Sequence, residues 1–362
     1  MCRGKWKISL RSWLTPSRDR LRAKLECARN SSLILTLGWI AISCGFSPAS
    51  SAQPIGLQEV LSIEGFFDIA DITVGRDESI YVADRGDFSI SKYDSQGQLI
   101  SRLGSQGVAP GEFVNGPRSI ALIGSTVIAS DQKGTGAMHF FDLDLNYEGT
   151  AEISLPMDMD TGPNELLYFG ATDLTDLTTL KRYVSTYVPH GKPSRIFELR
   201  DTHKHNIENF FYLLAGYPEK IVIVFYAVNR IDVYDLSGNM LDRLSVANLP
   251  LRYEGRPVDF GELPLLPDHV VESISYVPGG FMFTSAVLDH KGNLFLEHGG
   301  KDGERTVSRS VYVMTLAGEE KGVFKMPPYT HLIYVDKKGY AYAVTTTESS
   351  DVLKKYKLKY LE

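Results

Sequence analysis

A pattern of short strands returns about every 47 residues along this chain, and it limits the folds that the chain can adopt. The segment SIYVA at 79–83 is rich in β-branched and aromatic residues and is followed by Asp84. The segment TVIAS at 126–130 has the same character and is followed by Asp131, which lies 47 residues after Asp84. A fixed period of about 40 to 50 residues with several strands in each copy is typical of β-propeller blades. The repeat therefore predicts an all-β fold.

Each full copy contains four short strands separated by polar turns. Between residues 71 and 103 the strands DITV, SIYVA, SISKY and QLISRL alternate with turns such as DSQG at 94–97. The segment KIVIVFYAVNRIDVYDLSGNML at 220–241 repeats the middle of this pattern. We predict a six-bladed β-propeller of four-stranded antiparallel blades, with blades at 67–105, 115–155, 165–198, 208–246, 270–325 and 328–358. We expect the strand at 57–63 to pair with the last blade and close the ring, which protects edges that would otherwise be exposed.

The segments IYVAD, KYDSQGQLI and GSQGVAPGEFVNGPRSIAL, within 80–122, together resemble an NHL repeat. The spacing Gly-x-x-Gly-x-x-x-Gly-x-Phe, followed by a proline, is met by Gly104, Gly107, Gly111, Phe113 and Pro117. We expect the three glycines to carry the chain from an outer strand back to the axis, through conformations that favour glycine. We expect Phe113 to fill the wedge between two blades and Pro117 to begin the next inner strand.

The resemblance is to the six-bladed NHL-like propellers of secreted bacterial proteins, and it implies an architecture and not one activity. Most members of that family are binding scaffolds. A few are enzymes: amidating lyases of the peptidylglycine type, hydrolases similar to strictosidine synthase or gluconolactonase, and lyases of the streptogramin type.

The first 52 residues have the character of a targeting segment. They contain nine Lys or Arg against two acids, followed by an apolar run of 14 residues at 31–44. This run is shorter than the roughly 20 residues of a membrane span and suits a secretory signal, with cleavage after Ala52. Two alternatives stay open: lipidation of Cys44, and retention of the segment as an uncleaved anchor. All three place the propeller at 53–362 outside the cytoplasm, in the periplasm or beyond the cell.

The composition of residues 53–362 excludes several kinds of site. They contain 29 basic and 42 acidic residues, a net charge of −13, which argues against nucleic-acid binding. All three cysteines precede residue 45, so the predicted propeller has no disulfide, thiol nucleophile or thiolate metal site. Contact with a membrane is expected only through the N-terminal segment or a lipid on Cys44, and we expect a monomer.

Candidate site residues are polar and aromatic side chains at predicted strand ends near the propeller axis. Arg118 could clamp a carboxylate or phosphate, and aromatic residues could line a pocket for a sugar or a peptide. Asp84 and Asp131 recur at one repeat position, so we expect their carboxylates to accept backbone N–H bonds. The candidates for a ligand site at the channel mouth are Asp68, Asn115, Arg118, Tyr168, His269, Glu272, Tyr329 and His331.

The leading functional hypothesis is a non-enzymatic scaffold that binds a small ligand or a protein at the channel mouth. No cofactor is expected. The alternative is a metal-assisted hydrolase or lyase in the channel, where oxygen ligands suit a divalent cation such as Ca²⁺. Its candidate residues are Asp68, Glu272, His269, His331 and Arg118. The two differ in whether at least three of the candidate acids and histidines converge on the axis.

Overall fold

The structure, a computed structural model, is that of an all-β six-bladed propeller with four-stranded antiparallel blades. It describes residues 53–131, 136–153, 156–162, 165–172, 181–188, 191–200, 203, 206–216, 218–257, 276–277, 279–300 and 309–360. Within these ranges, no helix is both long and apolar enough to cross a membrane.

The chain begins with strand β1 (Gln53–Phe66), which belongs to the last blade. Blade one comprises β2 (Ile69–Val74), β3 (Ile80–Asp84), β4 (Ser89–Tyr93) and β5 (Leu99–Leu103). Blade two comprises β6 (Pro117–Ile123), β7 (Thr126–Asp131), β8 (Ala137–Asp142) and β9 (Tyr147–Glu152). Blade three comprises β10 (Pro156–Thr161), β11 (Leu167–Thr172), β12 (Arg182–Tyr187) and β13 (Ser194–Glu198).

The second half of the ring follows a short 3₁₀ helix, Asn206–Asn209. Blade four comprises β14 (Phe211–Gly216), β15 (Lys220–Phe225), β16 (Ile231–Asp235) and β17 (Met240–Leu244). Strands β18 (Arg256–Pro257) and β19 (Tyr276–Val277) form a separate two-stranded ribbon. Blade five comprises β20 (Phe283–Leu288), β21 (Asn293–His298), β22 (Ser310–Thr315) and β23 (Glu320–Lys325). Blade six comprises β24 (Thr330–Val335), β25 (Tyr340–Thr346), β26 (Asp351–Tyr360) and β1.

Strand β1 closes the ring, as the sequence predicted. It pairs antiparallel with β26 from Ile55 opposite Tyr360 to Phe66 opposite Asp351. Blade six is therefore assembled from both ends of the propeller sequence. The start of β1 also pairs in parallel with β23, which joins blade five to blade six.

The Asp-x-x-Gly signal in the repeat forms the tight turns between strands. Asp94 accepts hydrogen bonds from the backbone N–H groups of Gln96 and Gln98 at 2.9 and 2.8 Å. The carboxylates of Asp235, Asp289 and Asp336 accept the equivalent pair of N–H groups in other Asp-x-x-Gly turns, and Asp142 does so in a turn where Leu145 replaces the glycine. An aspartate side chain is short enough to accept the N–H groups two and four residues later, which stabilises the turn locally. This explains why aspartate recurs at the first position of these turns.

The hydrophobic core of the described residues lies between blades. Each of six clusters of buried apolar side chains draws its members from two neighbouring blades. Phe113 is fully buried between Tyr81 and Ile90 of blade one and Phe141 of blade two. Its predicted role as a wedge between the first two blades is confirmed.

The glycine-rich connection between the first two blades depends on two kinds of constraint. Gly104 and Gly111 have φ angles of 117° and 80°, in the left-handed region that favours glycine. Gly107 does not have a positive φ. A Cβ at Gly107 would meet only the carboxylate end of Glu112, which can move aside, whereas a Cβ at Gly104 would lie 2.5 Å from the Phe88 carbonyl oxygen, so space restricts Gly104 as well as its backbone angle.

Two blade boundaries predicted from the sequence are wrong. Blade three begins at Pro156 and not at residue 165, because its inner strand PMDMDT alternates Met with Asp and lacks a continuous apolar pattern. Blade five begins at Phe283 and not at residue 270. Of residues 270–277, the structure describes Tyr276 and Val277, which form one strand of the two-stranded ribbon. His269 was expected beside an inner strand, but it and Glu272 lie outside the described residues.

The wedge position of Phe113 generates a stability prediction. Replacing Phe113 with Ala is expected to lower the free energy of unfolding by about 3–5 kcal/mol, because it leaves a cavity between two blades. Denaturant unfolding measures this loss. The matched control is Phe67→Ala, which removes a ring that is 64% exposed and should change stability by less than about 0.5 kcal/mol. Equal losses in the two variants would contradict a wedge role.

Candidate functional site

The inner strands of the six blades surround a central channel with a cavity volume of about 1080 Å³. This volume is at the upper end of what small-molecule sites provide. All six inner strands run in the same direction along the axis, so their first residues share one end of the channel. We call this end the N-terminal mouth and the other the C-terminal mouth.

The second residue of several inner strands lines the N-terminal mouth. These residues are Ala70, Arg118, Tyr212, Thr284 and His331, from blades one, two, four, five and six. Because each strand contributes from the same position, the side chains form a ring around the axis. Of these five described residues only Ala70 is apolar, and it has the smallest side chain.

His331 is held by a buried carboxylate. Its Nδ1 lies 3.1 Å from Oε1 of Glu297, a fully buried residue of blade five. Glu297 also accepts hydrogen bonds from the Thr284 hydroxyl, Arg309 and the Leu332 N–H at 2.8, 3.1 and 2.7 Å. Burial raises the pKa of Glu297, but the hydrogen bonds and charges of His331, Leu332 and Arg309 outweigh burial and hold the pKa below its usual range.

The ionised Glu297 fixes the orientation and tautomer of the His331 ring. An ionised carboxylate can only accept, so His331 donates to Glu297 from Nδ1, and while the ring is neutral this leaves Nε2 as an acceptor. His331 lines the channel and its side chain is 25% exposed. The result is a preoriented imidazole at the N-terminal mouth, available for a ligand's hydrogen-bond donor or for proton transfer.

Arg118 lies beside two tyrosines on another part of the mouth. It shares a hydrogen bond with the hydroxyl of Tyr226, which together with Tyr212 lines the cavity. The two tyrosine rings have centroids 4.3 Å apart, and the Tyr212 hydroxyl donates to the Thr284 carbonyl at 2.5 Å. Arg118 forms no ion pair with a carboxylate within the part of the chain that the structure describes.

Asp68 also lines the channel, but its charge is already balanced. Arg85 donates to one oxygen of Asp68 from Nε at 2.9 Å and from Nη2 at 2.6 Å. This pair sits at the rim of blade one. Asp68, Arg118 and His331 are therefore the predicted site residues that the channel lining brings together.

The remaining described candidates lie elsewhere. Tyr168 is 2% exposed and packs in the core between blades three and four. Tyr329 is 47% exposed on the turn before β24, outside the cavity lining. Asn115 is exposed, and its backbone N–H donates to Asp131 at 3.1 Å.

The recurring aspartates have the structural role expected of them. Asp84 accepts the N–H groups of Phe67 and Asp68 at 2.9 and 3.0 Å, and Asp131 accepts that of Val114 in the next blade. Both carboxylates therefore stabilise the segment that leads into an inner strand.

Sequence analysis missed three aspartates inside the channel, namely Asp71, Asp158 and Asp160. Each accepts a backbone N–H from the inner strand of the next blade, at 2.9 Å in every case. Desolvation raises their pKa values to about 8, 6 and 7, and the charge of Asp158 adds to the rise at Asp71 and Asp160. The signal for Asp158 and Asp160 was the Met-Asp alternation in β10.

No group of three or more His, Cys, Asp or Glu side chains close enough to hold a metal occurs among the described residues. This statement does not cover His269 and Glu272, which are not described.

Comparison with known structures supports the propeller fold. The aldose sugar dehydrogenase of Streptomyces coelicolor, in its PQQ-bound form, is 13% identical with a TM-score of 0.54, over 86% of this chain and 100% of that one. A gluconolactonase from Xanthomonas campestris is 13% identical with a TM-score of 0.49, over 81% and 88%. Virginiamycin B lyase from Staphylococcus aureus is 12% identical with a TM-score of 0.48, over 85% and 100%.

At these identities the likeness concerns the fold alone, and the dehydrogenase is the comparison that supports it. No protein-family model and no curated protein matches this chain.

The channel aspartates generate a prediction about pH. Their pKa values in the folded protein are raised above the unfolded value of 3.8, so stability falls as the pH rises from about 4 towards 8 and the carboxyls ionise inside the fold. Replacing Asp160 with Asn removes one such charge. The free energy of unfolding of the variant, relative to that of the parent, should rise by on the order of 1 kcal/mol between pH 4 and pH 8. Thermal unfolding across that range measures this difference.

The matched control is Asp142→Asn. Hydrogen bonds from Asn146 hold the pKa of exposed Asp142 below its usual range, so this variant should lose stability relative to the parent as the pH rises through about 4. A stability difference between Asp160→Asn and the parent that does not change with pH would contradict a raised pKa for Asp160 in the folded protein.

Proposed function

We propose that this protein is an exported propeller that binds a small ligand at the N-terminal mouth of its channel and does not transform it. One observation carries the proposal: inner strands of separate blades present Arg118, Tyr212 and His331 around a single cavity. A site built on rigid strands from several blades is preorganised, which lowers the entropy cost of binding. We infer a monomer with no nucleic-acid partner.

Export is supported by the sequence of residues 1–52, with its basic region and apolar run at 31–44. The described part of β1, Gln53–Phe66, lies after the expected cleavage site. Cleavage after Ala52, lipidation of Cys44 and retention as an anchor all leave this ring-closing strand whole. Mass spectrometry of the exported chain distinguishes the three, and a chain found only in the cytoplasm would contradict export.

Kinship with the NHL-like propellers is part of the proposal. The glycine connection that ends in buried Phe113 supports it, because the backbone angles and the wedge contact account for the residues that carry the resemblance. Family membership alone would favour a binding scaffold without choosing its ligand.

The second candidate is a hydrolase or lyase, assisted by a metal as the sequence analysis considered. The observation that favours it is His331, whose Nε2 is kept as an acceptor facing a cavity by the carboxylate of Glu297. A preoriented imidazole can act as a general base.

Ligand screening of the full-length protein tests the proposal. A small-molecule collection is expected to contain compounds that raise the melting temperature, since a ligand at 100 times its Kd stabilises a protein by about 2.7 kcal/mol. Ala70→Trp, which puts a large side chain in the N-terminal mouth, should abolish these shifts. Leu143→Trp, at the C-terminal mouth, is the matched control and should keep them.

Elemental analysis of the same protein distinguishes the second candidate. The binding proposal expects no stoichiometric divalent metal and recovery of every bound compound unchanged. One bound metal per chain together with turnover of a screened compound would establish the hydrolase or lyase instead. Shifts that survive Ala70→Trp would place the ligand elsewhere.

A further inference from the structure

Arg118 differs from the other cations near the N-terminal mouth because no carboxylate in the described chain pairs with it. Arg85 is bound to Asp68, and Arg309 is bound to Glu297. Arg118 shares a hydrogen bond with the Tyr226 hydroxyl, a neutral group. A guanidinium that faces a cavity and has donors to spare is suited to bidentate binding of a planar anion.

His331 differs from Arg118 because it can accept a hydrogen bond from a ligand. Because Nδ1 is directed at Glu297, Nε2 is the ring nitrogen left for a ligand, and it is an acceptor while the ring is neutral. Asp71 and Asp158 also line the cavity with carboxyl oxygens. A ligand that satisfies these groups must carry hydrogen-bond donors, such as hydroxyl or ammonium groups, away from its anionic end.

The charge of the cavity limits the anion to a single negative charge. Asp71 and Asp158 lie within electrostatic range of each other, and Arg118 within range of Asp158. An ionised carboxylate repels an anion in proportion to the ligand's own charge, and near neutral pH this repulsion comes mainly from Asp158, because the pKa of Asp71 is raised to about 8. With one arginine available, a carboxylate is accommodated more readily than a doubly charged phosphate.

We infer that the N-terminal mouth binds a small carboxylic acid, with its carboxylate on Arg118 and its hydroxyl or ammonium donors directed to His331 and the channel aspartates. The paired rings of Tyr212 and Tyr226 provide an apolar face beside the arginine for the ligand's carbon skeleton. This inference deepens the proposed function and rests on it.

Isothermal titration of the full-length protein with matched compounds tests the inference. Galacturonate and galactose differ at the carboxylate, as do glycylglycine and its amide, so each pair isolates the anionic group. Inorganic phosphate tests whether a doubly charged anion binds, and spermidine tests whether a cation without a carboxylate binds. We expect galacturonate or glycylglycine to bind at least tenfold more tightly than its partner without a carboxylate, since a hydrogen bond between charged groups is worth roughly a factor of 10 to 100. Which acid binds distinguishes hydroxyl from ammonium donors.

Variants assign the binding to the mouth. Arg118→Gln should weaken binding of the acid by at least tenfold, and Arg118→Lys should restore only part of it because the planar fork is lost. His331→Phe should weaken binding of the carboxylic acid, and the variant should still unfold cooperatively. The matched control is Arg76→Gln, an arginine at the C-terminal mouth that pairs with Glu165, and it should bind normally.

Each outcome decides a different claim. Binding of galactose, phosphate or spermidine in preference to the acids, blocked by Ala70→Trp, would overturn the carboxylate inference and leave the proposed binding function in place. Acid binding that is unchanged in Arg118→Gln would also overturn the inference. Failure of every compound to bind would count against both.

Discussion

Hydrogen bonds from side chains on one blade to the backbone of the next join the inner strands into a ring, and the rest of the structure depends on them. Carboxylates carry four of the junctions: Asp71 to Ile120, Asp158 to Leu213, Glu297 to Leu332 and Asp351 to Ile69. Hydroxyl groups carry the other two, from Thr161 to the Leu122 carbonyl and from Tyr212 to the Thr284 carbonyl. Apolar packing between blades is non-directional, so these bonds define the angle at which blades meet.

The same bonds build the candidate site. Glu297 joins blade five to blade six, and it also orients His331 and binds the Thr284 hydroxyl. Tyr212 joins blade four to blade five with its hydroxyl while its ring lines the cavity. Side chains that hold the ring closed therefore also hold the mouth in shape, so binding needs little reorganisation of the backbone.

Burial disfavours the ionised form of the carboxyl groups in this ring. The channel aspartates accept backbone N–H groups, but desolvation raises their pKa values well above the ordinary value. Glu297 differs because Arg309 and His331 lie against it, and its pKa is lowered although it is fully buried. The comparison indicates that the basic side chains of His331 and Arg309, added to the hydrogen bond from the Leu332 amide, lower the pKa of a buried carboxyl where hydrogen bonds from amides alone do not.

The fold could be predicted because local signals recur. The strand pattern ending at Asp84 and Asp131, the Asp-x-x-Gly turns and the glycine connection ending at Phe113 each reflect short-range geometry. Blade three could not be placed, since its inner strand buries aspartates that are satisfied by blade four and not by their neighbours in sequence.

The site could be predicted only in part, for a similar reason. Arg118 and His331 could be placed because they stand at the start of inner strands. The role of Glu297 depends on a contact across 34 residues and two blades, and a single sequence carries no signal for it. Tyr168 has the same sequence character as Tyr212, yet it is buried in the core between blades, because it lies on β11, the second strand of its blade, and not on the inner strand that lines the channel.

Hydrogen exchange of the inner strands tests most directly the claim that the ring of side-chain to backbone bonds holds the propeller and its mouth. The account predicts that the amides of Ile69, Ile120, Leu213 and Leu332 exchange only through global unfolding, at the slowest rates in the chain. They should be slower than amides of the outer strands β5 and β17. Inner-strand amides that exchange by local opening, as fast as those of the outer strands, would contradict the account.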